Sequence, residues 1–164
     1  MKTLKPVKMV LFIEGEKLLF LGKHYSITQS KTKKIKIINK KIFVPEGKGI
    51  KKLIINWYKL KSKEIFCRIA DKLSIKNGLH YNKIKITTAS KRWGSCSKDN
   101  NICLNWKLLQ TPKTVIEYVI LHELIHTKIK NHKKEFWDLL KSICKDFKKS
   151  KDWLEENVNM INQI

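Results

Sequence analysis

His122-Glu123-Leu124-Ile125-His126 decides how this chain is read. Two histidines four residues apart on a helix share one face, a single turn from each other. Neutral imidazoles so placed can chelate a zinc ion, and a glutamate beside the first can act as base toward a metal-activated water. His132 follows six residues after His126. From this chain's own residue frequencies the five-residue pattern arises by chance roughly once in a hundred sequences.

The surrounding residues sharpen the point. Pro112 opens a helical stretch in which Val115, Ile116, Val119, Ile120, Leu121, Leu124 and Ile125 leave little polar surface. Thr111 or Thr114 can cap it, and Thr114 with Glu117 fits a capping box. His122, Glu123 and His126 are therefore polar groups set into an apolar segment, where each lacking a partner would cost several kcal/mol. A metal is one way to satisfy them.

A third ligand requires the helix to end. Continued straight, it would carry His132 about 9 Å past His126 and roughly 120° away. The chain must turn within Lys128 to Asn131, and Asn131 tolerates the left-handed conformation. The spacing equals that of the metzincin metallopeptidases, which place glycine where this chain has Ile129, so a different turn is needed. Glu135 is the alternative third ligand. Glu135, Trp137 and Asp138 otherwise fall on the next helix, in packing or supporting roles.

Outward from this centre, the first 45 residues read as short strands: Val10 to Ile13, Leu18 to Leu21, His24 to Thr28, Ile35 to Ile38 and Ile42 to Val44. A long amphipathic helix fits Gly49 to Lys76 and ends at Asn77-Gly78. A second strand pair, Ile84 to Thr88 and Ile102 to Trp106, is joined through the turn-prone Ser97 to Asn101. Two helices, Lys133 to Phe147 and Trp153 to Met160, close the chain. The pattern is α+β: a β-rich N-terminal meander (1–45), then a zinc-site core (80–150) with a small antiparallel sheet, all in one domain of 164 residues.

Composition bounds the rest. A chain of this length buries roughly 70% of its unfolded surface and needs no disulfide staples. Cys67, Cys96, Cys103 and Cys144 form no C-x-x-C pair and read as reduced, partly buried thiols of a cytoplasmic protein. There is no apolar run of about 18 residues, the length of a membrane span. Met1 to Val10 lacks the apolar core and cleavage site of a secretory signal. The formal charge is +22, yet only Arg68 and Arg92 among 36 basic residues are arginine. Such lysine excess is either a solvated surface or a face for DNA or another polyanion.

Several motifs in order carry a resemblance. Arg92-Trp93-Gly94-Ser95-Cys96, Asn101-Ile102-Cys103-Leu104-Asn105-Trp106, Pro112, Tyr118 through His126, Asn131-His132 and Phe136-Trp137 resemble the YgjP-like metallopeptidase family, relatives of the SprT-like and WLM zinc peptidases. The resemblance implies a zincin-like α+β fold, one zinc per chain on His122, His126 and His132, and Glu123 as catalytic base in a zinc-dependent endopeptidase acting on proteins or peptides. It also implies a strand edge near the metal that holds an extended substrate, with Ile102 to Trp106 the candidate, a segment that equally suits a core strand whose Trp106 simply packs. Arg92, Trp93 and Asn105 are candidate substrate contacts; Arg92 and Trp93 equally suit stabilisation of the turn. The relatives digest DNA-attached proteins, which would join the peptidase to the lysine surface. The competing class is a basic nucleic-acid-binding module whose zinc is structural, with four protein ligands.

Overall fold

The computed structural model describes residues 9–88 and 91–164. The reading of the N-terminus as lacking a signal falls almost wholly on residues outside this range. Seven strands and four α-helices follow in the order β1 (Lys17–Phe20), β2 (Lys23–Ser30), β3 (Lys36–Ile38), β4 (Lys41–Pro45), α1 (Ile50–Asn77), β5 (Lys83–Thr87), β6 (Gly94–Cys96), β7 (Asn101–Asn105), a 3-10 turn (Trp106–Gln110), α2 (Lys113–Ile125), α3 (Lys134–Ile143) and α4 (Phe147–Ile161).

The first sheet has the order β1-β2-β4-β3. Its two hairpins turn on adjacent left-handed residues, Leu21-Gly22 (φ 50 and 75) and Asn39-Lys40 (φ 48 and 59), the backbone twist that suits two-residue connections. Val10 to Ile13, expected as a strand, is not one. The Leu11 and Phe12 amides donate to the Glu16 carboxylate at 2.8 and 2.7 Å, and Phe12 is left-handed, so this run is looped around an acid instead of paired.

α1 begins and ends on left-handed glycines, Gly49 and Gly78. Its buried stripe is Ile54, Tyr58, Ser62, Phe66 and Ala70 at i, i+4 steps, with Ile69 beside them, a pattern that apolarity alone does not reveal, because Ser62 lies in it and Leu53 is exposed. The Tyr58 hydroxyl donates to the Leu19 carbonyl at 2.6 Å, tying α1 to the first sheet.

The second sheet has the order β5-β7-β6. The α+β class holds, but the sheets are mixed: β2 runs parallel to β4, and β5 parallel to β7, while β6 and β7 are antiparallel. The turn at Ser97 to Asn101 joins β6 to β7, not β5 to β7. Ile102 to Trp106 is therefore no edge. β7 is the central strand and β6 the edge beside it, and Trp106 already starts the 3-10 turn.

α2 lies across β6 and β7 with nine buried residues, among them Ile116, Ile120, Leu124 and Ile125. Neither threonine caps it. Pro112 occupies the cap position, the Thr111 hydroxyl donates to the Leu108 carbonyl at 2.8 Å, and Thr114 is already helical. A helix fixed by burial on this scale does not depend on its first turn for stability. The third helix is shorter than expected and the fourth longer. Among the described residues no helix is long and apolar enough to cross a membrane.

Candidate metal centre

α2 presents Tyr118, His122 and Glu123 along its length and ends on His126, which is its C-cap. A turn over residues 126–128 then breaks the helix, and His132 comes back toward it on the connection to α3. Asn131 is not left-handed. Its side-chain oxygen accepts from the Lys133 amide at 3.1 Å, a local turn just ahead of α3, while Ile129 takes the place that a glycine would hold without needing positive φ.

The three imidazoles converge. His132 Nε2 lies 3.0 Å from His122 Nε2 and 3.0 Å from His126 Nε2. Three imidazole nitrogens on one tetrahedral centre, with bonds of about 2.0–2.1 Å, lie about 3.3 Å apart, so the cluster has the size to hold a metal ion. His126 Nδ1 donates to the Ile129 carbonyl at 2.8 Å. That bond places the ring proton on Nδ1 and leaves Nε2 with the lone pair a metal needs. Phe136 is fully buried and lies beneath all three rings, its centroid 4.8, 4.7 and 4.8 Å from those of His122, His126 and His132. The Trp137 indole N–H donates to the His132 carbonyl at 2.9 Å. Among the described residues these three histidines form the one group able to hold a metal, and Glu135 is not in it.

The electrostatics favour neutral ligands and a reluctant acid. Burial pushes His122 down to about 3, and the neighbouring His126 and His132 push the same way. Burial also lowers His126, against the Ile129 hydrogen bond that favours its charged form. Glu123 is 6% exposed; burial pushes it up to about 7, with the Arg92 guanidinium opposing.

Glu123 is seated against β6. A Cβ at residue 94 would lie 2.7 Å from Glu123 Oε1 and 2.8 Å from its Cγ, so only glycine allows this approach. The sequence motif contains Gly94, but nothing in it announces that contact. Lys130 was also illegible: its ammonium donates to the Ser97 carbonyl at 3.0 Å and to Asn100 Oδ1 at 2.7 Å, strapping the His126–His132 connection to the β6–β7 turn.

A cleft of about 590 Å³ opens beside His122 and Glu123, with Arg92, Trp93 and Gly94 in its wall. Asn105 is not part of that wall. It is 4% exposed, and its side-chain oxygen accepts from the Lys107 amide at 2.9 Å to cap the 3-10 turn. A smaller recess of about 90 Å³ brings it near Arg92 and Trp93.

A helix carrying two histidines and an acid, with a third histidine folded back onto them, is the geometry of a metallopeptidase. The family model for the YgjP-like metallopeptidase domain matches residues 2–157. This chain belongs to the YgjP-like metallopeptidase family. Among solved structures, the metallopeptidase zymogen jannalysin of Methanocaldococcus jannaschii shares the fold, with a TM-score of 0.51 at 24% identity over 57% of this chain and 96% of that one. No curated protein matches. As a YgjP-like protein the chain is a peptide-bond hydrolase that depends on a metal, and its substrate is a protein or peptide.

Proposed function

We propose that this YgjP-like protein is a single-domain zinc endopeptidase, with His122, His126 and His132 as the zinc ligands and Glu123 as general base. The observation that carries the reading is the convergence of three Nε2 atoms, two pairs of them 3.0 Å apart, beside a buried carboxyl group. The donor set fits zinc: three neutral imidazoles, one fixed by a backbone carbonyl in the metal-binding tautomer. When bound, zinc supplies a Lewis acid that polarises the scissile carbonyl and makes water a nucleophile near neutral pH.

The remaining chemistry belongs to the chain. The Glu123 carboxylate takes the proton from the attacking water and returns it to the departing amine nitrogen, a two-way role that suits a group poised near 7. Arg92 biases that carboxyl toward its charged form. β6 receives the substrate. Trp93, Ser95 and Ser97 pair with β7, as the Asn105-to-Trp93 and Ser97-to-Asn101 bonds show, so the main-chain groups of Gly94 and Cys96 point to the open edge. An extended peptide can add there as a further strand.

The competing module with a structural zinc needs a fourth protein ligand, and the histidine group contains three residues. The lysine-rich surface supports a polyanion contact in addition to peptidase action. Binding of duplex DNA that weakens steeply with salt would bear this out. The peptidase itself is tested by zinc content and casein hydrolysis together. Wild type should hold one zinc per chain and cleave; Glu123→Gln should hold zinc and not cleave. Glu123→Gln cleaving at the wild-type rate would remove Glu123 as the base, and a wild type that neither holds zinc nor cleaves would overturn the reading.

A further inference from the structure

The cleft next to Glu123 is built mainly from apolar side chains that the peptidase chemistry does not use. Trp93 enters from the start of β6, Tyr118 and Val119 from α2, and Leu154 and Val158 from α4. Its charged rim is largely satisfied internally: Lys151 and Glu155 of α4 stand 3.8 Å apart, and Arg92 acts on Glu123. Clefts of about 300–1,000 Å³ take drug-sized ligands, so about 590 Å³ accepts the largest natural side chain. Because His122, Glu123 and Gly94 are also in its wall, whatever fills it is held next to the reacting bond.

We infer that this cleft is the specificity pocket of the enzyme, that it takes a large apolar side chain (aromatic or leucine-like) from the residue flanking the scissile bond, and that Val158 sets the width of its mouth. The inference rests on the peptidase reading above. A small side chain would leave the apolar walls wet, and a lysine or arginine would meet carboxylates, Glu123 and Glu155, that Arg92 and Lys151 already face. A substrate carboxylate would lose water to walls that are mostly hydrocarbon. Val158 is the adjustable element, because it is 36% exposed and lines the cleft without supporting the core.

The test uses the zinc-loaded full chain on a peptide series carrying Phe, Leu, Ala, Lys or Glu at the flanking position. kcat/KM for Phe and Leu should exceed that for Ala, Lys and Glu by at least about tenfold. Val158→Trp should reduce the Phe-to-Ala ratio by at least about tenfold, and Val158→Ala should shift preference toward Trp. A second readout needs no turnover: Glu123→Gln should bind the Phe peptide more tightly than the Ala peptide in calorimetry, and Val158→Trp should erase the difference. If wild type cleaves nothing while that binding difference holds, the pocket stands and the peptidase reading falls. Equal kcat/KM across the series, or a preference that neither Val158 variant alters in either readout, overturns the pocket.

Discussion

Residue 94 of β6 touches the acid of α2 so closely that Gly94 and Glu123 form one unit: an added Cβ would stand 2.7 Å from the carboxyl oxygen and 3.0 Å from Cδ. The backbone of the proposed substrate strand thus sets where the proposed base sits. Gly94→Ala should fold and retain zinc, because the three atoms nearest an added Cβ all belong to Glu123, yet push the Glu123 carboxyl off its position. A displacement of about 1 Å costs on the order of 100-fold in rate. Steady-state kinetics with metal analysis checks this, and unchanged kcat would show that the contact is slack.

Removing the charge of Glu123 and removing a histidine should separate chemistry from metal binding. Glu123→Gln keeps the shape and should lower kcat about 10²–10⁴-fold with zinc in place. His122→Ala should lose zinc, and with it both hydrolysis and the thermal stabilisation that zinc confers on the folded state. The paired readout is elemental analysis and a melting curve with and without chelator.

The metal-free protein should show a pH signature of the buried acid. Glu123 is pushed from 4.5 up to about 7, so the folded state favours its protonated form. The stabilisation from that proton is complete below pH 4.5 and is lost as pH rises through about 7, an effect of order 3 kcal/mol. His122, pushed from 6.5 down to about 3, works in the other direction, costing stability as pH falls below 6.5. Glu123→Gln isolates the first effect: its advantage in melting temperature over wild type should grow from pH 5 to pH 8. A constant difference would mean that the carboxyl is solvated.

Lys130 should matter to zinc without touching it. Its bonds to Ser97 and Asn100 hold the connection that carries Ile129 and His132. Lys130→Met keeps the aliphatic stem and removes those bonds, and zinc affinity should fall about tenfold, as for other groups that orient metal ligands. Competition with a chromophoric chelator measures it; affinity equal to wild type would remove Lys130 from the account.

What could be read in advance follows from the range of the forces involved. The spacing of His122 and His126 on an apolar helix is local, so the face they share was legible, as was the need for a turn before His132. The form of that turn was not. Asn131 serves through its side chain and not through left-handed backbone, because its Oδ1 finds the Lys133 amide. β6 carries no local signal, since Gly94-Ser95-Cys96 becomes a strand only beside β7. The parallel pairing of β5 with β7 is likewise non-local. Lys130 was hidden among 36 basic residues; its role comes from the β6–β7 turn reaching it in space. Val10 to Ile13 has the apolar character of a strand, but the Glu16 carboxylate takes the amides of Leu11 and Phe12 that pairing would need.

X-ray absorption at the zinc edge of the loaded protein shows whether three histidines hold the ion. Three imidazole nitrogens at about 2.0–2.1 Å, no sulfur, and loss of one imidazole in His132→Ala are expected. A shell containing cysteine sulfur or four protein ligands, or a His132→Ala spectrum identical to wild type, would contradict that coordination.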